Sequence, residues 1–130
     1  MNAIPMEVTD DRKTAIEIEG ETYDLVFNTR AAREVSSKYG SLKGFAETVE
    51  KADEAETVNH NVWLTTLLVN QGIAIHNYRN LDDQRTPFTE DEIDLLTSPV
   101  DWQAAREALI KGSKRNIKSE AESSKNAEVG

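Results

Sequence analysis

The chain contains no cysteine. Disulfide staples, thiolate nucleophiles and cysteine metal ligands are therefore excluded, and a reducing compartment is compatible with the composition. Histidine is scarce too. His60 and His76 stand sixteen residues apart on what reads as one long helix, about 24 Å along its axis at the usual rise per residue. They cannot share a metal within one chain, so each reads as a structural histidine. Positive charge is in short supply: 15 Lys and Arg stand against 24 Asp and Glu, a formal charge of -9. Such a chain repels nucleic acid and anionic membranes, which bind clustered Lys and Arg. The most basic stretch, IKGSKRNIK, sits on this acidic background beside an acidic tail. No long hydrophobic run exists either. The longest, VWLTTLLVNQGIAI, is interrupted by Thr65, Thr66, Asn70, Gln71 and Gly72 and is too short and polar to span a bilayer. The opening, MNAIPMEVTDDRK, lacks the basic and apolar regions of a signal peptide. A soluble cytoplasmic protein that binds neither membrane nor nucleic acid is expected, with basic or neutral proteins as the compatible partners.

The fingerprints of chemistry are missing as well. There is no phosphate-binding glycine loop, dinucleotide fingerprint or nucleophile elbow. Asp82-Asp83 lacks the glycine and the terminal glutamate of a calcium loop. No catalytic residue, cofactor site or metal site is expected.

What is present is one domain of 130 residues, 38% apolar but only 6% aromatic, whose core rests on Leu, Ile, Val and Ala. The expected fold is mainly α: an N-terminal β-hairpin followed by a small bundle of about five helices. Residues 1–13 read as a flexible arm, 14–117 as the globular domain and 118–130 as a disordered tail, since SEAESSKNAEVG has almost nothing apolar. The strands TAIEIE and TYDLVF flank Gly20-Glu21. Glycine at the first central position suits a type II′ turn, which sets Ile18 opposite Tyr23 and Ile16 opposite Leu25. Glu17 then faces Asp24 on the other, acidic side. A lone hairpin is marginal in water, so its apolar face, continued by Phe27, must pack on the helices as a lid. Its open edge could pair with a second copy.

Helices are expected over 30–38, capped by Asn28 or Thr29 and ended by Gly40, and from Ser41 to about residue 52. A polar break, DEAETVN, precedes a long third helix over 58–78. Thr89 and Glu92 form a capping box, Ser98-Pro99 ends that short helix, and a last helix covers 100–117. The third helix is apolar on two sides. Leu64, Leu67, Leu68, Ala74, Ile75 and Tyr78 form one stripe; Val62, Val69 and Ile73, with Trp63 nearby, form another. Such a helix is buried centrally or shared with a partner. Gly72 lies within it at about 1 kcal/mol relative to Ala, which close approach of another helix would explain. Two surfaces follow as candidate partner sites: the acidic hairpin face of Glu17, Glu19 and Asp24, and the second stripe of Val62, Trp63, Val69 and Ile73, completed by another chain.

Residues 14–39, TAIEIEGETYDLVFNTRAAREVSSKY, resemble the opening of tail assembly chaperones of long-tailed, non-contractile phages and prophages. The matching residues are Tyr23, Leu25, Phe27, Asn28, Thr29 and Arg30, where a strand pair runs straight into the first helix. The stretch TPFTEDEIDLL resembles the family's acidic entry to a late helix. The resemblance extends over residues 14–112. It implies a non-enzymatic morphogenesis factor that binds the tape measure protein, keeps it soluble, helps recruit tail tube subunits and is absent from the finished virion. It implies no catalytic residue; many phages with this family also make a longer form by translational frameshifting near the gene's end, a junction that the polar stretch from Lys118 to Gly130 would suit. The reading from another class is a small prophage regulator or a virion structural adaptor acting through protein contacts.

Overall fold

The computed structural model describes the backbone of residues 14–129 and the side chains of residues 14–114. A two-stranded antiparallel hairpin, β1 (Thr14–Ile18) and β2 (Glu21–Leu25), leads into α1 (Thr29–Tyr39), α2 (Leu42–Lys51), α3 (Glu54–Arg79), α4 (Glu90–Leu96) and α5 (Pro99–Val129). The class is mainly α, a hairpin followed by a small helical bundle, as the patterning implies.

Local chemistry accounts for the boundaries. Asn28 caps α1 by accepting from the Ala31 N–H at 3.0 Å, and Gly40, at φ 86°, ends it in the left-handed region. Ser41 accepts from Gly44 N–H to open α2. Asp53 does the same for α3 through Glu56 N–H, so the polar stretch expected to be a break is the acidic first turn of the long helix. Thr89 and Glu92 close the capping box of α4. α4 ends at Leu96, before Ser98-Pro99 as expected, and Pro99 opens α5, since the first helical position needs no N–H donor. The helical backbone of α5 continues to Val129, beyond the 100–117 expected for the last helix. The Ala, Glu and Lys of that stretch are good helix formers. The expected arm, 1–13, lies outside the described residues.

The hairpin register differs from the expected one. Glu19 and Gly20, with φ 50° and 84°, are the turn residues. Positive φ at both marks a type I′ turn, whose twist matches that of the strands. Ile18 therefore faces Glu21, Ile16 faces Tyr23 and Thr14 faces Leu25. The shift is two residues in pairing, an even number, so the same side chains stay on the same face. Ile16, Ile18 and Leu25 are buried, with Tyr23 and Phe27 packed against them. Glu21 is tolerated on this face because it sits at the exposed tip, where its carboxylate accepts from the Tyr23 hydroxyl at 3.0 Å.

α3 is the central element, with Leu64, Thr65, Leu68 and Val69 fully buried. The hydroxyls of Thr65 and Thr66 donate to the carbonyls of Asn61 and Val62 one turn back, which lets these polar side chains be buried. β2 lies along this helix. The Val26 N–H donates to the Leu68 carbonyl at 3.2 Å, and a Cβ at Gly72 would collide with the carbonyl oxygen of Asp24. Gly72 thus admits the hairpin, not another helix. Phe27 is seated in the same way on Gly112 of α5, where a Cβ would meet its ring. The hairpin is a lid over α3 and α5.

Candidate partner-binding surfaces

The acidic side of the hairpin faces water. Glu17, Glu19 and Asp24 are all exposed. The observed register separates the two carboxylates expected to face each other: Glu17 stands opposite Thr22 and Asp24 opposite Ala15. Glu19 is set apart by its left-handed backbone in the turn. The three form a dispersed acidic face rather than a coupled carboxylate pair.

The second stripe of α3 is not a surface. Val62 is 5% exposed, Val69 0% and Ile73 2%. The hairpin and the neighbouring helices of the same chain cover both sides of α3, so no second chain is needed to bury the stripe. The sequence shows that both sides are apolar, but not that a hairpin lies along the helix to cover one of them. Trp63 is half-buried in an aromatic cluster centred on Tyr39. The Tyr39 ring meets Phe45, His60 and Trp63 edge-on, with centroids 4.9, 5.4 and 5.4 Å away. Lys38 Nζ lies 5.1 Å from the centre of the Trp63 ring, a cation–π contact. The Tyr39 hydroxyl and His60 Nδ1 are hydrogen-bonded at 2.7 Å. Burial, reinforced by the negative charge of Glu90, pushes the Tyr39 phenol up to about 12. His76 Nε2 meets the carbonyl and carboxylate of Asp83 at 2.8 and 3.1 Å. Each histidine is thus hydrogen-bonded within its own neighbourhood, His60 to α1 and His76 to the segment after α3.

Apolar side chains open to water lie elsewhere. Tyr78 and Leu81 are at the C-terminal end of α3, Leu95 and Val100 at the α4–α5 junction, and Ile110 on α5. They fell outside the stripes read as core or partner surface, except Tyr78, which the patterning had placed in the core stripe.

Two further features escaped the sequence reading. The segment 84–89, between α3 and α4, is fastened to α3 by asparagines. Asn70 Nδ2 donates to the Phe88 carbonyl and its Oδ1 accepts from the Phe88 N–H, both at 2.8 Å. Asn77 makes the same paired contact with Arg85, at 2.8 and 2.7 Å. Each side-chain amide thus replaces a partner strand's peptide group. The second feature is a groove of about 330 Å³ lined by Asn28, Thr29, Arg30, Gln71, Ala74, Ile75 and Tyr78. Gln71 is 6% exposed, and its buried Oε1 has no hydrogen-bond partner. A buried, unpaired amide oxygen costs about 1–3 kcal/mol, so the groove holds an unmet demand for a donor. The readable signal was a polar residue at 71 with 74, 75 and 78 at helical spacing on a face otherwise apolar.

Among the described residues no cluster of three His, Asp or Glu side chains could hold a metal ion, and no helix is long and apolar enough to cross a membrane. Comparison with known protein families, with curated proteins and with solved structures returns no match.

Proposed function

We propose that this chain is a non-enzymatic tail assembly chaperone of a long-tailed, non-contractile phage or prophage, acting in the host cytoplasm and absent from the virion. The observation that supports this reading most is the direct passage from β2 into α1. Phe27, Asn28, Thr29 and Arg30, which carry the resemblance, lie at that joint: Phe27 docks on α5 and Asn28 caps α1. The client is the long helical tape measure protein, and tail tube subunits are recruited to the complex. A chaperone for a helical client needs exposed apolar anchors on a soluble body. Leu95 and Val100, at 81% and 73% exposure, provide such anchors, one on each side of the α4–α5 junction. The net charge of -9 keeps the loaded complex in solution.

Co-expression with the product of the longest reading frame downstream of the gene tests the reading. The expected result is a long helical protein that is soluble only with this chain and co-purifies with it. A client that is equally soluble alone, together with no capture, overturns the proposal.

A further inference from the structure

The groove is built by the start of α1 and one face of α3, whereas the client anchors stand at the α4–α5 junction. We propose that it takes the C-terminal end of an extended peptide from another protein, one whose last residue is apolar. The terminal carboxylate sits at the start of α1 beside Arg30. The N–H of the last residue donates to Gln71 Oε1, and its side chain lies on Ala74, Ile75 and the Tyr78 ring.

Gln71 is the residue that points to a ligand. It is more than nine-tenths buried, it lines the groove, and its Oε1 has no hydrogen-bond partner. Buried polar groups in folded proteins are nearly all paired. An acceptor left unpaired on a groove wall is explained by a donor that arrives with a ligand. α3 already uses this chemistry one residue away. Asn70 Oδ1 accepts from the Phe88 N–H at 2.8 Å, and Asn77 Oδ1 accepts from the Arg85 N–H at 2.7 Å. Those two side chains, seven residues apart, hold the backbone of an extended segment. Gln71 and Tyr78 repeat that spacing one residue on, about 100° around the helix, and both border the groove.

Charge decides which peptide fits. Among the described residues Arg30 is the one charged side chain that lines the groove, and the first turn of α1 carries no acidic residue. On a molecule of net charge -9 this is a local site for an anion, and the dipole of α1 favours a carboxylate at the same end. The α3 wall adds apolar surface from Ala74, Ile75 and Tyr78. Tyr78 is 86% exposed, so its ring is open to a partner rather than held in the core. Acceptor, anion site and apolar wall match the three substituents of one residue: N–H, carboxylate and apolar side chain. The last residue of a chain carries all three, whereas an internal Asp or Glu spends its side chain on the carboxylate and leaves the apolar wall bare. The groove, of about 330 Å³, is at the lower end of ligand sites, which run about 300–1,000 Å³. That size suits a chain end.

Titration of the isotope-labelled full chain with the tetrapeptide acetyl-Ser-Ala-Ala-Leu, followed by amide chemical shifts, tests the proposal. Saturable shifts are expected at the Gln71 side-chain amide and at the backbone amides of Arg30 and Ala31. The same peptide with a C-terminal amide is expected to bind at least about tenfold more weakly, as is the acid on Arg30→Gln, since each loses a charge-assisted contact. Gln71→Met keeps the length of the side chain without its acceptor. It is expected to weaken binding and also to raise the denaturation midpoint of the unliganded chain, because it removes an unpaired buried oxygen. Amides of β2 and α3 report that each variant is folded. Equal binding of the acid and the amide, or of acetyl-Ala-Asp-Ala-amide and the acid, overturns the proposal. So does a lowered midpoint for Gln71→Met, or a folded wild-type chain that shows no shift in the groove at millimolar peptide.

Discussion

At the scale of the residue, the tightest constraint is Gly72. Replacing glycine by alanine inside a helix normally stabilises by about 0.8–1 kcal/mol. Here the added methyl would enter the space held by the Asp24 carbonyl, and a backbone atom cannot rotate away. Gly72→Ala is expected to destabilise by about 1–3 kcal/mol, the usual penalty for overpacking, in chemical denaturation. A gain in stability would mean that β2 does not lie against α3 at this point. Tyr39 gives a second expectation, in pH. Its folded value of about 12 lies above the ordinary value near 10, so folding favours the neutral phenol. That contribution is fully present below pH 10 and is lost as pH rises towards about 12. Tyr39→Phe is expected to be less stable at neutral pH by about 1 kcal/mol, through loss of the bond to His60. It is also expected to show a shallower loss of stability on the alkaline side than the wild type. Parallel alkaline slopes would sink this account.

At the scale of the element, capping chemistry was the most legible part of the sequence. Asn28, Gly40, Ser41 and the Thr89–Glu92 box all stand where their side-chain chemistry placed them, because a cap is decided within four residues. The hairpin register was not legible, and the reason is symmetry. Alternation of apolar and polar residues fixes which face a side chain takes, but it is unchanged by a shift of two. Only the turn distinguishes the two registers, and pairing Ile18 with Glu21 argues for Gly20-Glu21 from sequence, whereas the left-handed Glu19 sets the turn at Glu19-Gly20. The clamps on segment 84–89 were illegible for a different cause. Asparagine in a helix looks neutral unless the extended segment it holds is already in place. Asn70→Ala leaves the N–H and carbonyl of Phe88 without their partners. The edge-on contact of Phe88 with Tyr23, 5.1 Å between centroids, then loses its anchor. A loss of about 1–3 kcal/mol is expected, together with faster proteolysis in 84–89. Unchanged proteolysis would show that the aromatic contact alone holds the segment.

At the scale of the whole molecule, the burial of Val62, Val69 and Ile73 removes them as a candidate partner surface. The stripe is core, and Leu95 and Val100 are among the apolar side chains left exposed. A double substitution there, Leu95→Asp with Val100→Asp, is expected to leave thermal unfolding unchanged, because both side chains are exposed. It is expected to cut recovery of the co-expressed client by at least about tenfold, the equivalent of 1.4 kcal/mol in binding. Charge reversal at Glu17 and Asp24 in the same assay separates an acidic docking face from a merely solvated one. The hairpin edge once open to a second copy is partly spoken for, since Val26 bonds to Leu68 within the chain. Proline at Val26 therefore reports on folding rather than on self-association.

The two asparagine clamps carry a consequence for chain length. Seven residues of helix rise about 10.5 Å, and three residues of extended chain cover about 10 Å. Asn70 and Asn77 are seven apart, and their partners Phe88 and Arg85 are three apart in the opposite direction. The helix thus acts as a ruler against which the segment is measured. Thr86 and Pro87 occupy the interval, and proline is harmless there because neither clamp asks for its missing N–H. The side chains that fill that interval are free of the clamps, whereas the preceding connection is tied down separately, by Gln84 donating to the carbonyls of Asn77 and Asn80 and by His76 meeting Asp83. One residue more or fewer between Arg85 and Phe88 would put both clamps out of step at once.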